Sequence, residues 1–233
     1  WPNYSFIHHQ NLSIYFNKER KLALYTACNF DKDAFIQMNR SNAFRDDSLI
    51  DTAFQLGKGF YKSATLDDPP GNFFDQGHMI ARRYNQWGSN DEEARAGERD
   101  TYFYTCIQPQ VKELNTDEWE NLESFIINQD KLDVKKVSVI VGAMLDRRDP
   151  VATYIDKFYQ VEKTIQIPKV FWKIVYYEVE GELRKIAFLM SQRNRLREIP
   201  FVDFPVVREF VADPFDSIDD PLKTFIVKST LVE

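Results

Sequence analysis

The stretch from Thr101 to Glu123 places the tightest constraint on the fold. Thr-Tyr-Phe-Tyr-Thr-Cys-Ile at 101–107 is a continuous β-type run, the pattern of a strand in the interior of a sheet, and Pro109 ends it. Asn115-Thr116-Asp117 then offers capping chemistry with acidic residues in the first turn. Trp119, Leu122, Phe125 and Ile126 recur at helical spacing, which predicts a helix near 116–130.

The flanking sequence supplies further strands. Leu12, Ile14 and Phe16 alternate with polar partners, Asn17-Lys18-Glu19-Arg20 turns the chain, and Leu22 to Ala27 continues it, so 11–28 reads as two strands joined by a turn. Val137 to Val141 is a strand ending at Gly142. Val170 to Glu178 and Lys185 to Met190 read as a hairpin turning at Glu180-Gly181-Glu182. Residues 62–72, centred on Pro69-Pro70-Gly71, and the polar stretch from Ser89 to Asp100 around Gly97 read as loops, while the tail after Pro200 carries few signals. Sheet, one prominent helix and sheet again predict an α+β fold with a central antiparallel β-sheet and flanking helices. No repeat and no linker divides the chain, so one domain over 1–233 is expected.

Composition excludes some classes. No apolar run approaches the roughly 20 residues of a membrane-spanning helix, so no membrane partner is expected. A chain starting at Trp1 reads as a processed form or as part of a longer multidomain chain, and a homodimer is also open. Cys28 and Cys106 are too few and too far apart for a disulfide framework or a thiolate zinc site, and read as two small buried or half-buried thiols. The net charge of −6 argues against a polyanionic partner taken as a sum, because phosphate binding rewards Lys and Arg. Binding depends on local patches, however, and Arg82-Arg83 and Arg193 to Arg197 are local basic clusters.

Two segments carry candidate chemistry. In Phe73-Phe74-Asp75-Gln76-Gly77-His78-Met79, two aromatics lead to an Asp, a Gly and one of only three histidines. Gly77 allows a special backbone angle or close approach of a ligand. Asp75, or equally a backbone carbonyl, is placed to hold one ring nitrogen of His78 and set its tautomer, as a general base requires. In the second segment Asn115 opens the helix and Glu123 lies eight residues on, two turns up and about 80° round. An amide oxygen and a carboxylate so placed can share a hydrated Mg²⁺, one directly and one through water. Taken singly, Asn115 is equally a helix cap and Glu123 equally a solvated surface residue.

Taken together and in order, Asp75-Gln76-Gly77-His78-Met79, Tyr102-Phe103-Tyr104, Pro109-Gln110, Asn115, Trp119 and Leu122-Glu123 resemble the DNA/RNA non-specific endonuclease family with its ββα-metal site. Arg40 with Phe44-Arg45-Asp46-Asp47 looks like the family's upstream Arg and Phe-x-x-Asp element. Ile140-Val141-Gly142 and Ile167-Pro168-Lys169-Val170-Phe171-Trp172-Lys173 look like two of its strands, so that the likeness covers about 8–190. The resemblance implies metal-dependent hydrolysis of DNA and RNA phosphodiesters, leaving 5′-phosphate ends. It implies His78 as general base, Asn115 as the one direct protein ligand of Mg²⁺ (Mn²⁺ may substitute), and Glu123 holding the metal's waters.

Two positions depart from the family pattern. Its signature arginine is Gln76 here, and a second arginine one helical turn after the Glu falls at Ile127. Gln76 and Arg40 join the candidate catalytic set, with Arg82, Arg83 and Asp75 as candidate substrate contacts. The departures and the acidic balance leave open a weakened nuclease-fold module that binds nucleic acid or another partner. A phosphodiesterase for small nucleotides is a third reading.

Overall fold

The structure is a computed structural model that describes residues 3–41, 43–61, 73–128, 135–205 and the backbone of 225–227. Three strands open the chain, β1 (Tyr4–His8), β2 (Leu12–Asn17) and β3 (Leu22–Asp31), followed by a short helix α1 (Gly57–Tyr61). Then come β4 (Phe74–His78), α2 (Asp91–Asp100), β5 (Ile107–Val111) and α3 (Glu120–Ile127). The second half holds β6 (Lys136–Ala143), β7 (Val151–Ile155), β8 (Glu162–Gln166), β9 (Val170–Val179) and β10 (Glu182–Ser191). The short elements α4 (Arg193–Leu196), β11 (Val202–Asp203) and β12 (Phe225–Val227) follow.

Seven strands form an antiparallel sheet in the order β1-β2-β3-β6-β9-β10-β12. The expected hairpins are its backbone. Between β9 and β10, Glu180 (φ 56°) and Gly181 (φ 79°) both take positive φ, the two-residue turn whose twist matches that of its strands. Register then aligns one row across the sheet: Ile14, Thr26, Val141, Lys173 and Phe188 are successive partners. All five are buried, and each large apolar side chain withdrawn from water contributes about 1.5–3 kcal/mol. A slip of one residue would turn the whole row to the other face, so this apolar face fixes where Lys173 points.

Several local expectations are corrected. The polar stretch from Ser89 to Asp100 holds a helix, α2, instead of a loop. Asn90 caps it by accepting from the backbone N–H of Glu92 and Glu93, and Asp91, Glu92 and Glu93 occupy the positive end of the helix dipole. The run 101–107 is not an interior strand. A 3₁₀ turn takes Tyr104–Cys106 and only Ile107 enters β5, while Tyr102 packs edge-on against His78, Phe103 stacks on His9 and Tyr104 on Tyr61. Pro109 does not end that strand but sits inside the two-stranded β4–β5 ladder, where no third strand needs its missing N–H and its carbonyl accepts from Gln192 Nε2 at 3.1 Å. The helix starts earlier and less regularly than predicted, with a π-helical turn at Leu114–Trp119 before α3. Asn115 is therefore inside the turn and not its cap. The loop expected at 62–72 and the helix end at 129–130 lie outside the described residues. Cys28 and Cys106 are both free and buried, as expected. Among the described residues no helix is long and apolar enough to cross a membrane.

Candidate active site

Strands β4 and β5 pair antiparallel, with Asp75 opposite Gln110, Gln76 opposite Pro109 and His78 opposite Ile107. The chain leaves β5 directly into the π-turn and α3, making a ββα unit laid on the buried face of the large sheet. Two hydrogen bonds fasten it. The Trp119 indole N–H donates to the His78 carbonyl at 3.0 Å, and the Tyr84 hydroxyl donates to the Glu123 carbonyl at 3.2 Å. Helix and strand are thereby held in one relative position.

A cleft of about 400 Å³ opens along this unit. Every candidate named from sequence lines it: Arg40, Asp75, Gln76, His78, Arg82, Arg83, Asn115 and Glu123. Ile127 lines it too. Its rim residues Arg40, Arg83, Thr116 and Glu120 are exposed, so the cleft opens at the surface. The other histidines are employed elsewhere: His8 meets the Ser13 hydroxyl at 3.0 Å, and His9 meets the buried carboxylate of Asp47 at 2.9 Å.

His78 stands among aromatic rings, with Tyr102 edge-on at 5.0 Å and Phe44 at 5.3 Å between centroids. Its Nε2 is shut off from solvent and has no hydrogen-bond partner among the described residues. Burial disfavours the imidazolium first, and the charges of Arg40 and Arg82 add to that, so the ring's pKa falls to about 3. The ring is neutral at physiological pH.

Asp75 does not hold the imidazole. Its Oδ2 accepts from Asn115 Nδ2 at 3.0 Å, so the sequence-based pairing of Asp75 with His78 is corrected to Asp75 with Asn115. That bond turns the amide nitrogen toward β4 and leaves the amide oxygen to face away from it. Gly77 is also reassigned. It is absent from the positive-φ residues, and a Cβ built on it would run into the Gln110 side chain, so its space goes to β5 and not to a ligand. Gln76 donates from Nε2 to the Tyr104 hydroxyl at 3.4 Å.

Lys173 is the site residue that sequence reasoning left without a role, although it closes the Ile167-to-Lys173 segment. Its ammonium meets Glu123 Oε1 at 3.2 Å, with side-chain exposures of 0% and 15%. It also lies 4.1 Å from the Trp119 ring centre. Burial pushes the Glu123 pKa up and the Lys173 pKa down, and the attraction between the two opposes both shifts. Fifty positions separate the partners, so only sheet register brings them together.

The model of the DNA/RNA non-specific endonuclease family matches residues 3–213. The chain belongs to this family. Among members with names, mitochondrial endonuclease G of Bos taurus and of Homo sapiens is 28% identical over 156 residues, 65% of this chain and 49% and 50% of theirs. An uncharacterized protein, y4fB, of Sinorhizobium fredii is 28% identical over 202 residues, 85% of this chain and 28% of its own. The chain thus spans half or less of the length of these curated relatives. A crystal structure of the EndoG/EndoGI complex contains a chain that superposes with a TM-score of 0.60 at 16% identity, covering 86% of this chain and 80% of that one. The fold is accordingly the family's α+β fold with a central antiparallel sheet and the ββα-metal motif, as the sequence predicted.

Proposed function

We propose that this chain is a metal-dependent nuclease that hydrolyses phosphodiester bonds of DNA and RNA with little sequence preference. The observation that supports this best is the single open cleft in which His78, Asn115 and Glu123 meet three arginines that have no carboxylate partner among the described residues. The neutral His78 ring, with its Nε2 unpartnered among the described residues, takes the proton of an attacking water as general base. Arg40, Arg82 and Arg83 hold the backbone of the polymer, and contacts to phosphate and sugar carry no base information, which accounts for weak sequence preference.

The donor set fits a hard, hydrated cation. Among the described residues no three His, Cys, Asp or Glu side chains gather into a metal cage. Asn115 presents its amide oxygen, Asp75 fixes that amide, and Glu123 adds a carboxylate in the same cleft. Few protein oxygens with room for water is the pattern that suits Mg²⁺, and Mn²⁺ as a substitute. Asn115 would hold the ion directly and Glu123 through water, and the ion would stabilise negative charge on the phosphate and the leaving oxygen. Products then carry 5′-phosphate ends.

The test is plasmid nicking. Cleavage appears with Mg²⁺ or Mn²⁺, stops with EDTA and returns when metal is restored; cleavage that persists in EDTA refutes the metal assignment. A second reading, a binding module without turnover, draws on the uncharged Gln76 and Ile127 in the cleft wall, and complete inactivity at every metal concentration would favour it. A closed site for single nucleotides is less well supported, because the cleft opens at an exposed rim.

Asp75 supplies a separate check. Asp75→Ala removes the group that orients the Asn115 amide, and an orienting partner of this kind is worth about 10–100-fold in metal affinity. The metal concentration for half-maximal activity rises by that factor while the rate at saturating metal changes less. An unchanged metal requirement would show that Asn115 needs no such support.

A further inference from the structure

Arg82 is built into the cleft as a fixed, unspent positive charge. Met79, Ile80 and Ala81 are buried after the end of β4, so the chain is anchored before it. Arg82 opens a 3₁₀ turn, Arg82–Asn85, whose Tyr84 and Asn85 are fully buried. The backbone N–H of Tyr84 and the side-chain amide of Asn85 both donate to the Ala81 carbonyl. The position is therefore held on both sides.

The guanidinium at that position has an unused donor. Arg82 Nη1 is shut off from solvent and has no hydrogen-bond partner among the described residues. Other arginines of the chain meet acids: Arg20 with Asp149, Arg45 with Asp100, Arg148 with Asp146 and Arg195 with Glu198. In a chain with 36 acidic and 30 basic residues, a half-buried arginine without a carboxylate partner is a costly arrangement unless an anion completes it. Of the three arginines lining the cleft, Arg82 is the half-buried one, and it acts on His78 together with Arg40. Gln76 is neutral and its amide is turned to Tyr104, Ile127 is apolar, and Arg40 and Arg83 are exposed at the rim.

We propose that Arg82 is the residue that grips the non-bridging oxygens of the phosphate lying against His78, with Arg40 and Arg83 serving the flanking phosphates. The planar fork of a guanidinium matches two phosphate oxygens at once, which a lysine ammonium does not. This assignment rests on the nuclease reading of the cleft. It also means that an arginine introduced at position 76 raises the rate more when Arg82 has been removed than in the parent.

The test uses binding and cleavage separately. Binding of a fluorescein-labelled single-stranded deoxyoligonucleotide is measured across a salt series for His78→Ala and for His78→Ala with Arg82→Gln, in EDTA. Loss of one phosphate contact lowers the slope of log affinity against log salt by about 0.7. In the otherwise unaltered chain, Arg82→Gln lowers cleavage by roughly a hundred-fold, as removal of one donor at a developing charge does. Arg82→Lys recovers the salt slope but only part of the rate. Gln76→Arg placed in the Arg82→Gln background recovers part of both. An unchanged salt slope overturns the proposal even if cleavage falls, since a structural defect alone would leave the slope intact. A parent that binds with the expected slope change yet never cleaves sinks the nuclease reading and leaves Arg82 as a phosphate contact. A parent that does not bind the strand overturns both.

Discussion

Replacing His78 with alanine is expected to lower cleavage by about 10²–10⁴-fold, the usual contribution of a positioned general base. The residue lines the cleft with one ring nitrogen left without a partner, and no second imidazole lines it among the described residues. Its backbone carbonyl, which holds the Trp119 indole, survives the substitution, so the strand-to-helix fastening persists. Plasmid nicking at saturating Mg²⁺ reads the loss, and cleavage equal to the parent's would remove His78 from the mechanism. The same variant reports on pH. The folded-state pKa of about 3 lies below the ordinary 6.5, so burial of the neutral ring costs nothing above 6.5 and destabilises the fold progressively as pH falls from 6.5 toward 3. His78→Ala lacks this penalty. Denaturant unfolding should show the parent losing stability relative to the variant over that interval, and a constant difference would place the ring in contact with water.

Lys173→Met is expected to cost about 3–5 kcal/mol of stability, the loss typical when one partner of a buried ion pair is removed. Methionine keeps most of the volume and the contact with Trp119, so the loss reports charge and not a cavity. Without the ammonium, the largest opposing attraction on Glu123 is gone, and burial, with Glu120 beside it, raises its pKa further. An acid raised in the fold is favoured in its neutral form, so the deficit grows as pH rises above the ordinary 4.5 and shrinks below it. A carboxyl shifted toward its neutral form attracts a cation in the cleft less strongly, and the Mg²⁺ concentration needed for cleavage should rise. Adding Glu123→Gln restores much of the lost stability, because no buried charge is then left alone, but not the activity. A double variant as unstable as Lys173→Met would show that the pair does not act as a unit.

Much of this molecule is legible in its sequence. Period-two alternation at Leu12, Ile14 and Phe16, and the Glu180-Gly181 turn, specify hairpins through contacts close in the chain, and both hairpins form. The segments around His78 and from Asn115 to Glu123 carry the site candidates in an order specific enough to name a family, and all of them line one cleft. Reading failed where a local pattern supports two outcomes. Residues 101–107 have β-type composition, yet packing spends Tyr102 on the His78 ring and Tyr104 on Gln76. The stretch from Ser89 to Asp100 is polar enough for a loop, yet the Asn90 cap and the buried Ala94 make it a helix. The chain by itself therefore determines its hairpins, its amphipathic helix and its set of chemical groups, since these follow from spacing along a few neighbouring residues. Which group faces which was decided by tertiary structure alone. Asp75 reaches Asn115 across 40 positions, Lys173 reaches Glu123 across 50, and the Arg82 donor stays unpaired, because sheet register and burial over those separations set the partners.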